Sequence, residues 1–198
     1  MLVIGNGESR KNIDIKKLSG PKVGCNAIYR DCYMDYLVCV DRRMMQEALN
    51  AGANVQGSLL YTRPDWLQQF KTLRVREVPE LPYVGSDRWD EPFQWGSGPY
   101  AVLIAAKYAK EKYVNLLGFD LHSKTKNVNN IYKSTPNYDD AGKRAVDPRY
   151  WIHQIGMVFE CFPRINFRIY QDLDWKLPQA WKYPNVTVDN ISNIYYNN

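Results

Sequence analysis

The sequence predicts an α/β protein, a single domain with a mostly parallel sheet flanked by helices. Apolar runs of strand length alternate with segments of helical period, the pattern of such a sheet rather than of a bundle or a sandwich. The chain has 198 residues, 45% hydrophobic and 24% charged, enough for one large domain with its own core and incompatible with intrinsic disorder. The strand-length runs also end in Gly, Asn or Asp, residues that suit turns at a ligand crevice.

The first strand is Leu2-Val3-Ile4, closed by Gly5-Asn6-Gly7. A second spans 22–25 and ends at Asn26, and a third spans 36–40 and ends at Asp41. Residues 44–51 carry apolar side chains at helical spacing and stop at Gly52, a helix-terminating glycine. A strand is expected over 55–61, a short helix opened by Pro64 over 64–70, and a strand over 73–78 that alternates apolar and charged residues. Residues 79–93, with three prolines and Gly85, read as a loop. Ser97, with Pro99 two residues on, marks a helix start, and 101–112 runs as a buried helix. A core strand over 113–117 ends in Gly118-Phe119-Asp120-Leu121-His122, and a long polar loop follows to Pro148. A helix over 149–162 leads to a last strand over 167–170. The domain is expected to span 1–177, with 178–198 as a Tyr- and Asn-rich tail or arm packed on the body or on a second subunit.

Several function classes are disfavoured. No apolar run reaches the roughly 18 residues that span a bilayer, and the first ten residues lack the basic and apolar regions of a secretion signal, so a cytoplasmic protein is expected. Cys25, Cys32, Cys39 and Cys161 have no metal-ligand spacing and read as small hydrophobes. The net charge of +5 comes from scattered basic pairs such as Lys16-Lys17 and Arg42-Arg43, which suits an anionic small molecule and gives no stripe for nucleic acid.

The strand ends carry the chemistry. In an open α/β sheet the carboxyl ends of the strands face one crevice, and here they supply Gly5, Asn6, Gly7 and Ser9, then Asn26, Asp41, Gly96-Ser97-Gly98, and Asp120 with His122. The Gly96-Ser97-Gly98 turn sits at a helix N-terminus, whose free amides favour an anion such as phosphate. Neither glycine turn matches the dinucleotide fingerprint or the P-loop. Taken singly, the first turn reads as an ordinary strand exit and the second as a helix cap.

Four blocks taken in order resemble a known family. They are Leu2-Val3-Ile4-Gly5-Asn6-Gly7-Glu8-Ser9, Gly24-Cys25-Asn26-Ala27-Ile28-Tyr29, Ser97-Gly98 opening an Ala-rich helix, and Val114-Asn115-Leu116-Leu117-Gly118-Phe119-Asp120. This arrangement resembles the bacterial lipooligosaccharide sialyltransferases, glycosyltransferase family 42, and implies a Rossmann-like fold and a metal-independent glycosyltransferase. By that resemblance Asn6, Asn26, Ser97 and Gly98 would hold a CMP-sugar donor, the substrate, with no further cofactor, and the acceptor would be a glycan or other hydroxyl. A late histidine would be the general base, which points to His153, while His122 stands beside Asp120 at a strand end; the chain has only these two histidines. The taken-over role of tyrosines that steady the leaving phosphate falls on Tyr132 and Tyr138. Gln94-Trp95-Gly96 departs from the family's basic residue before the Ser-Gly turn, so a nucleotide-sugar site is implied more strongly than sialic acid itself.

Two alternatives stand beside this reading. The opening Gly5-x-Gly7-x-Ser9 is related to that of proteins handling pterin substrates, which would imply Mg²⁺-dependent diphosphate transfer with Asp41 and Asp120 as the carboxylate pair. A non-catalytic binding or assembly module would use the aromatic tail from Trp181 to Tyr196 to join subunits into a homo-oligomer. Asp172-Leu173-Asp174 spells a metal-binding D-x-D but reads as a solvated turn, and no metal site is assigned.

Overall fold

The computed structural model describes residues 1–70, 74–123 and 125–196. Eight strands form one all-parallel sheet: β1 (Leu2–Ile4), β2 (Lys22–Cys25), β3 (Tyr36–Val38), β4 (Leu59–Thr62), β5 (Val75–Glu77), β6 (Tyr113–Leu117), β7 (Asn166–Gln171) and β8 (Val186–Asn190). Across the sheet they lie in the order β5-β4-β3-β2-β1-β6-β7-β8. The chain winds outward from β1 to β5, crosses back, and winds out the other way from β6 to β8. Its direction reverses between β1 and β6, where Leu2 pairs with both Lys22 and Asn115. This is a Rossmann-like, doubly wound sheet, and the gap above the carboxyl ends of β1 and β6 is its topological switch point.

Alternation of side chains explains how the sheet is covered on both faces. Val3, Val23, Val38, Val114, Leu116, Phe167 and Ile169 point to one face, where they pack beneath α3 (Ser97–Tyr108) and α4 (Arg149–Cys161). Leu2, Ile4, Leu37, Leu60, Leu117 and Tyr170 point to the other, where they meet α1 (Arg42–Asn50) and a series of 3-10 turns. Asp41 caps α1 by accepting from the amides of Arg43 and Met44, and Gly52, at φ +77°, ends that helix. A fourth helix, α2 (Pro64–Leu67), opens on a proline as expected. No helix among the described residues is long and apolar enough to cross a membrane.

The structure corrects several expected boundaries. The strand expected from Val55 begins at Leu59, because Gly52 and Gly57 (φ +111°) hold the intervening residues in turns. The buried helix starts at Ser97, as expected, and stops at Tyr108, short of Lys112. The strand expected over 73–78 is observed as β5, with Leu73 outside the described residues. The segment read as a tail contributes β8, which runs parallel to β7 with Phe167 opposite Val186 and Gln171 opposite Asn190. Trp181 and Ile194, on either side of β8, are fully buried. Trp181 donates its Nε1–H to the Ile152 carbonyl at 2.8 Å and packs edge-on to Phe159. The described part of 178–198 therefore belongs to the body of the domain.

Candidate functional site

The switch point is built on two glycines that touch. A Cβ on Gly5 would lie 2.4 Å from the Gly118 carbonyl oxygen, and one on Gly118 would lie 2.8 Å from the Gly5 carbonyl oxygen. Gly118 also has φ +74°, so only glycine fits there without strain. The close approach extends the β1–β6 ladder past the strands, with Gly5 N–H donating to Leu117 O at 2.8 Å and Gly7 N–H to Gly118 O at 2.9 Å. Backbone from two chain regions more than 100 residues apart in sequence thus forms one rigid floor.

Above that floor lies a cavity of about 390 Å³, within the range of small-molecule sites. Gly5, Asn6, Gly7, Asn26, Ser97, Gly98, Asp120 and His122 all line it, so eight of the sequence-predicted site residues converge on one hollow. Asn6 uses its Nδ2 hydrogens to donate to the Cys25 carbonyl (3.3 Å) and the Tyr138 hydroxyl (3.2 Å). Those two bonds fix the amide, and its Oδ1 is buried with no partner. Asn26 Oδ1 is likewise buried and unpartnered, and Asn26 holds a left-handed backbone at φ +54°. Unpaired buried acceptors are costly, so these two oxygens, on residues that line one cavity, are unmet hydrogen-bonding demands beside it.

The start of α3 supplies donors. Ser97 is 5% exposed, and its Oγ accepts from the Val40 amide at 3.0 Å, which leaves the hydroxyl proton to donate. Gly96 caps α3 with no side-chain acceptor, and no acidic residue occupies the first turn. The amides of Ser97 and Gly98 have no intrahelical acceptor, and they face the cavity at the positive end of a 12-residue helix. The first turn of α4 adds Tyr150 and Trp151 to the rim, with Val146 and Phe119 completing an apolar shoulder. Cys25 also lines the wall, but burial pushes its thiol up to about 12, so it stays protonated and inert.

Asp120 lines the cavity but spends its oxygens on structure. Oδ2 accepts from Ser9 N–H at 2.9 Å, and Oδ1 accepts from Ser9 Oγ at 2.5 Å and from Gln171 Nε2 at 3.1 Å. Asp120 thus orders the first turn, and Ser9 is its partner rather than a lining residue. Asp41 also lines the cavity while capping α1. Among the described residues no group of three or more His, Cys, Asp or Glu side chains is placed to hold a metal.

The two histidines separate. His122 sits exposed at the mouth, and its carbonyl accepts from Asn129 Nδ2 at 2.7 Å. The preceding Leu121 is left-handed at φ +67°, a strained conformation that turns the chain so that residue 122 meets the cavity. His153, the late histidine, is not among the lining residues. It lies on α4 with Nε2 2.6 Å from Asp90 Oδ1 and its ring against Trp89. Burial works to raise the Asp90 carboxyl, but hydrogen bonds from His153 and from Tyr83 outweigh it and hold the carboxyl below its ordinary value. His153 therefore joins the loop before α3 to α4 and lies outside the lining of the cavity that the other candidates share.

Of the two tyrosines, Tyr138 lines the cavity and accepts from Asn6 Nδ2 and from the Ala27 amide at 3.3 Å. Tyr132 does not; it is buried beneath, against Arg10 and Asp31. Arg10 itself escaped the sequence reading, since an arginine in a polar turn looks solvated. It is only 3% exposed and donates to the Gly5 carbonyl.

No family model, no curated protein and no solved structure matches the chain.

Proposed function

We propose that the switch-point cavity binds the nucleotide part of a CMP-activated sugar and that the protein is a metal-independent glycosyltransferase of the sialyltransferase-like kind. The observation that carries this reading is the convergence of Asn6, Asn26, Ser97 and Gly98 on one hollow, whose lining residues carry two unpartnered amide oxygens and include the start of α3. The amide oxygens suit the amino and hydroxyl groups of a nucleoside. The amides of Ser97 and Gly98 with the Ser97 hydroxyl suit a phosphate group.

In this reading the sugar projects toward the mouth. The acceptor oxygen attacks the anomeric carbon as the bond to phosphate breaks, which inverts the configuration. His122 takes the acceptor's proton, and the CMP phosphate leaves with its charge held at the α3 N-terminus. The Mg²⁺-dependent alternative has less support, because both carboxylates nominated for it, Asp41 and Asp120, are already engaged by backbone and side-chain donors.

Calorimetric titration with CMP, a CMP-sugar and unrelated nucleotides, with and without Mg²⁺, tests the proposal. Metal-independent binding of CMP that weakens in Ser97→Ala supports it. Absence of binding by every nucleotide overturns it.

A further inference from the structure

Beneath the cavity lies a charged cluster that the proposed chemistry does not use. Arg10 is almost fully buried, and its guanidinium reaches three separate parts of the chain. Nε donates to the Gly5 carbonyl at 2.6 Å, NH1 pairs with Asp31 Oδ2 at 3.2 Å, and NH2 donates to the Tyr132 hydroxyl at 3.0 Å. Tyr132 in turn donates to Asp31 Oδ2 at 2.5 Å, and its ring lies 5.7 Å from the Arg10 guanidinium carbon. One planar cation thereby joins the floor turn after β1, the end of the 3-10 turn after β2, and the long segment between β6 and α4.

That long segment supplies the cavity's fourth wall. Its Ile131 amide donates to the Asn6 carbonyl at 2.9 Å, its Asn129 Oδ1 accepts from the Glu8 amide at 2.8 Å, and its Tyr138 hydroxyl accepts from Asn6 and Ala27. A second, more exposed clasp holds the segment's tip, where Arg30 donates to Thr135 Oγ1 and to the Pro136 carbonyl. Arg10 is different in kind, since burying a charge is expensive unless every donor finds a partner, and here the partners belong to the pieces that carry Gly5, Asn26 and Tyr138.

We propose that Arg10 is the positioning residue of the cavity: through Gly5 and Tyr132 it sets the distance between the Asn6 turn and the Tyr138 wall, and so decides whether the site is formed before ligand arrives. Lysine cannot replace it, because an ammonium lacks the planar fork that reaches a carbonyl, a carboxylate and a hydroxyl together. The ligand half of the test rests on the CMP reading above; the structural half does not.

The test compares the wild type with Arg10→Lys, Arg10→Met and Tyr132→Phe at a temperature where each is fully folded. Hydrogen exchange is read at the amides of Ala27 and Ile131, which report the Tyr138 wall, and at β1 and β6, which report the sheet. CMP affinity is read on the same samples. Tyr132→Phe, which deletes one hydroxyl and keeps the ring, is expected to speed exchange at Ala27 and Ile131 while the sheet amides keep their protection, and to weaken CMP about tenfold. Arg10→Lys is expected to behave like Arg10→Met rather than rescue the site. Uniform acceleration across the sheet and the wall, or unchanged exchange at Ala27 and Ile131 in Tyr132→Phe, would overturn the proposal. If the wild type binds no CMP, the nucleotide reading falls, and the exchange pattern still decides the role of Arg10.

Discussion

Replacing Gly7 by alanine isolates one contact at the heart of the site. Gly7 has φ −64° and ψ 149°, a conformation open to any residue, so alanine brings no backbone penalty. The obstacle is steric, because the new Cβ would lie 2.4 Å from both Cγ and Oδ1 of Asp120. That carboxylate cannot swing aside freely; it is 8% exposed and accepts from Ser9 N, Ser9 Oγ and Gln171 Nε2. Displacing it forfeits at least the two bonds from Ser9. Hydrogen bonds to a charged group are worth ~1.5–3 kcal/mol each and are not fully additive, so Gly7→Ala is expected to cost about 3 kcal/mol. Asp120→Ala loses the same bonds and also removes the obstacle. Gly7→Ala added to Asp120→Ala is therefore expected to cost little more, giving a coupling of about 3 kcal/mol in a double-mutant cycle. Urea unfolding of the four proteins with matched m-values measures it. Strictly additive costs would refute the argument that Asp120 is what excludes a side chain at residue 7.

Three further outcomes are expected. Trp181→Ala empties a fully buried site under α4 and loses the bond to Ile152, at ~3–5 kcal/mol, read as a lowered thermal midpoint; a change under 1 kcal/mol would mean that the 178–198 segment is not docked. The Asp90 carboxyl is held below 3.8, its ordinary value, in the folded state, so its contribution is fully present above that value and is lost as pH falls through the lower folded value. The stability advantage of the wild type over Asp90→Asn, followed by urea midpoints into acid pH, should then shrink as pH falls below 3.8; an advantage that persists undiminished through that range would contradict the assignment. Asn26→Gly removes the unpartnered amide while accepting φ +54° without strain, so thermal stability should stay within about 1 kcal/mol while calorimetry records weaker CMP binding. Unchanged affinity would remove Asn26 from the proposed site.

Much of this was legible in the chain because buried parallel strands announce themselves. Leu2-Val3-Ile4 is apolar on both faces and the run at 113–117 is interrupted only by Asn115, and the residues that follow such strands fall at the crevice by topology, which is why Asn6, Asn26 and Asp120 come together. β8 was hidden because only Val186 and Val188 of its five residues are apolar and the other edge is open, leaving half a strand's signal. His153 and Tyr132 were misplaced for another reason. Which face of α4 or which side of a long polar segment a residue occupies is set by packing against Asp90 and Arg10, contacts 63 and 122 residues away in sequence. Burial of Arg10 had no local signal, since its partners are a backbone carbonyl and side chains distant in the chain.

The pairing of β1 with β6 also constrains how the chain reaches its native state. The half from β1 to β5 can zip up strand by strand through short connections, but Leu2 meets Asn115 only by closing a very long loop. That step carries the largest chain-entropy cost and belongs late in folding. Because the Gly5–Gly118 contact lies on this last seam, a half-made chain emerging from the ribosome would own an adhesive apolar strand with an empty flank and no pocket. A ligand that binds the finished pocket would then stabilise the molecule only once this seam has closed.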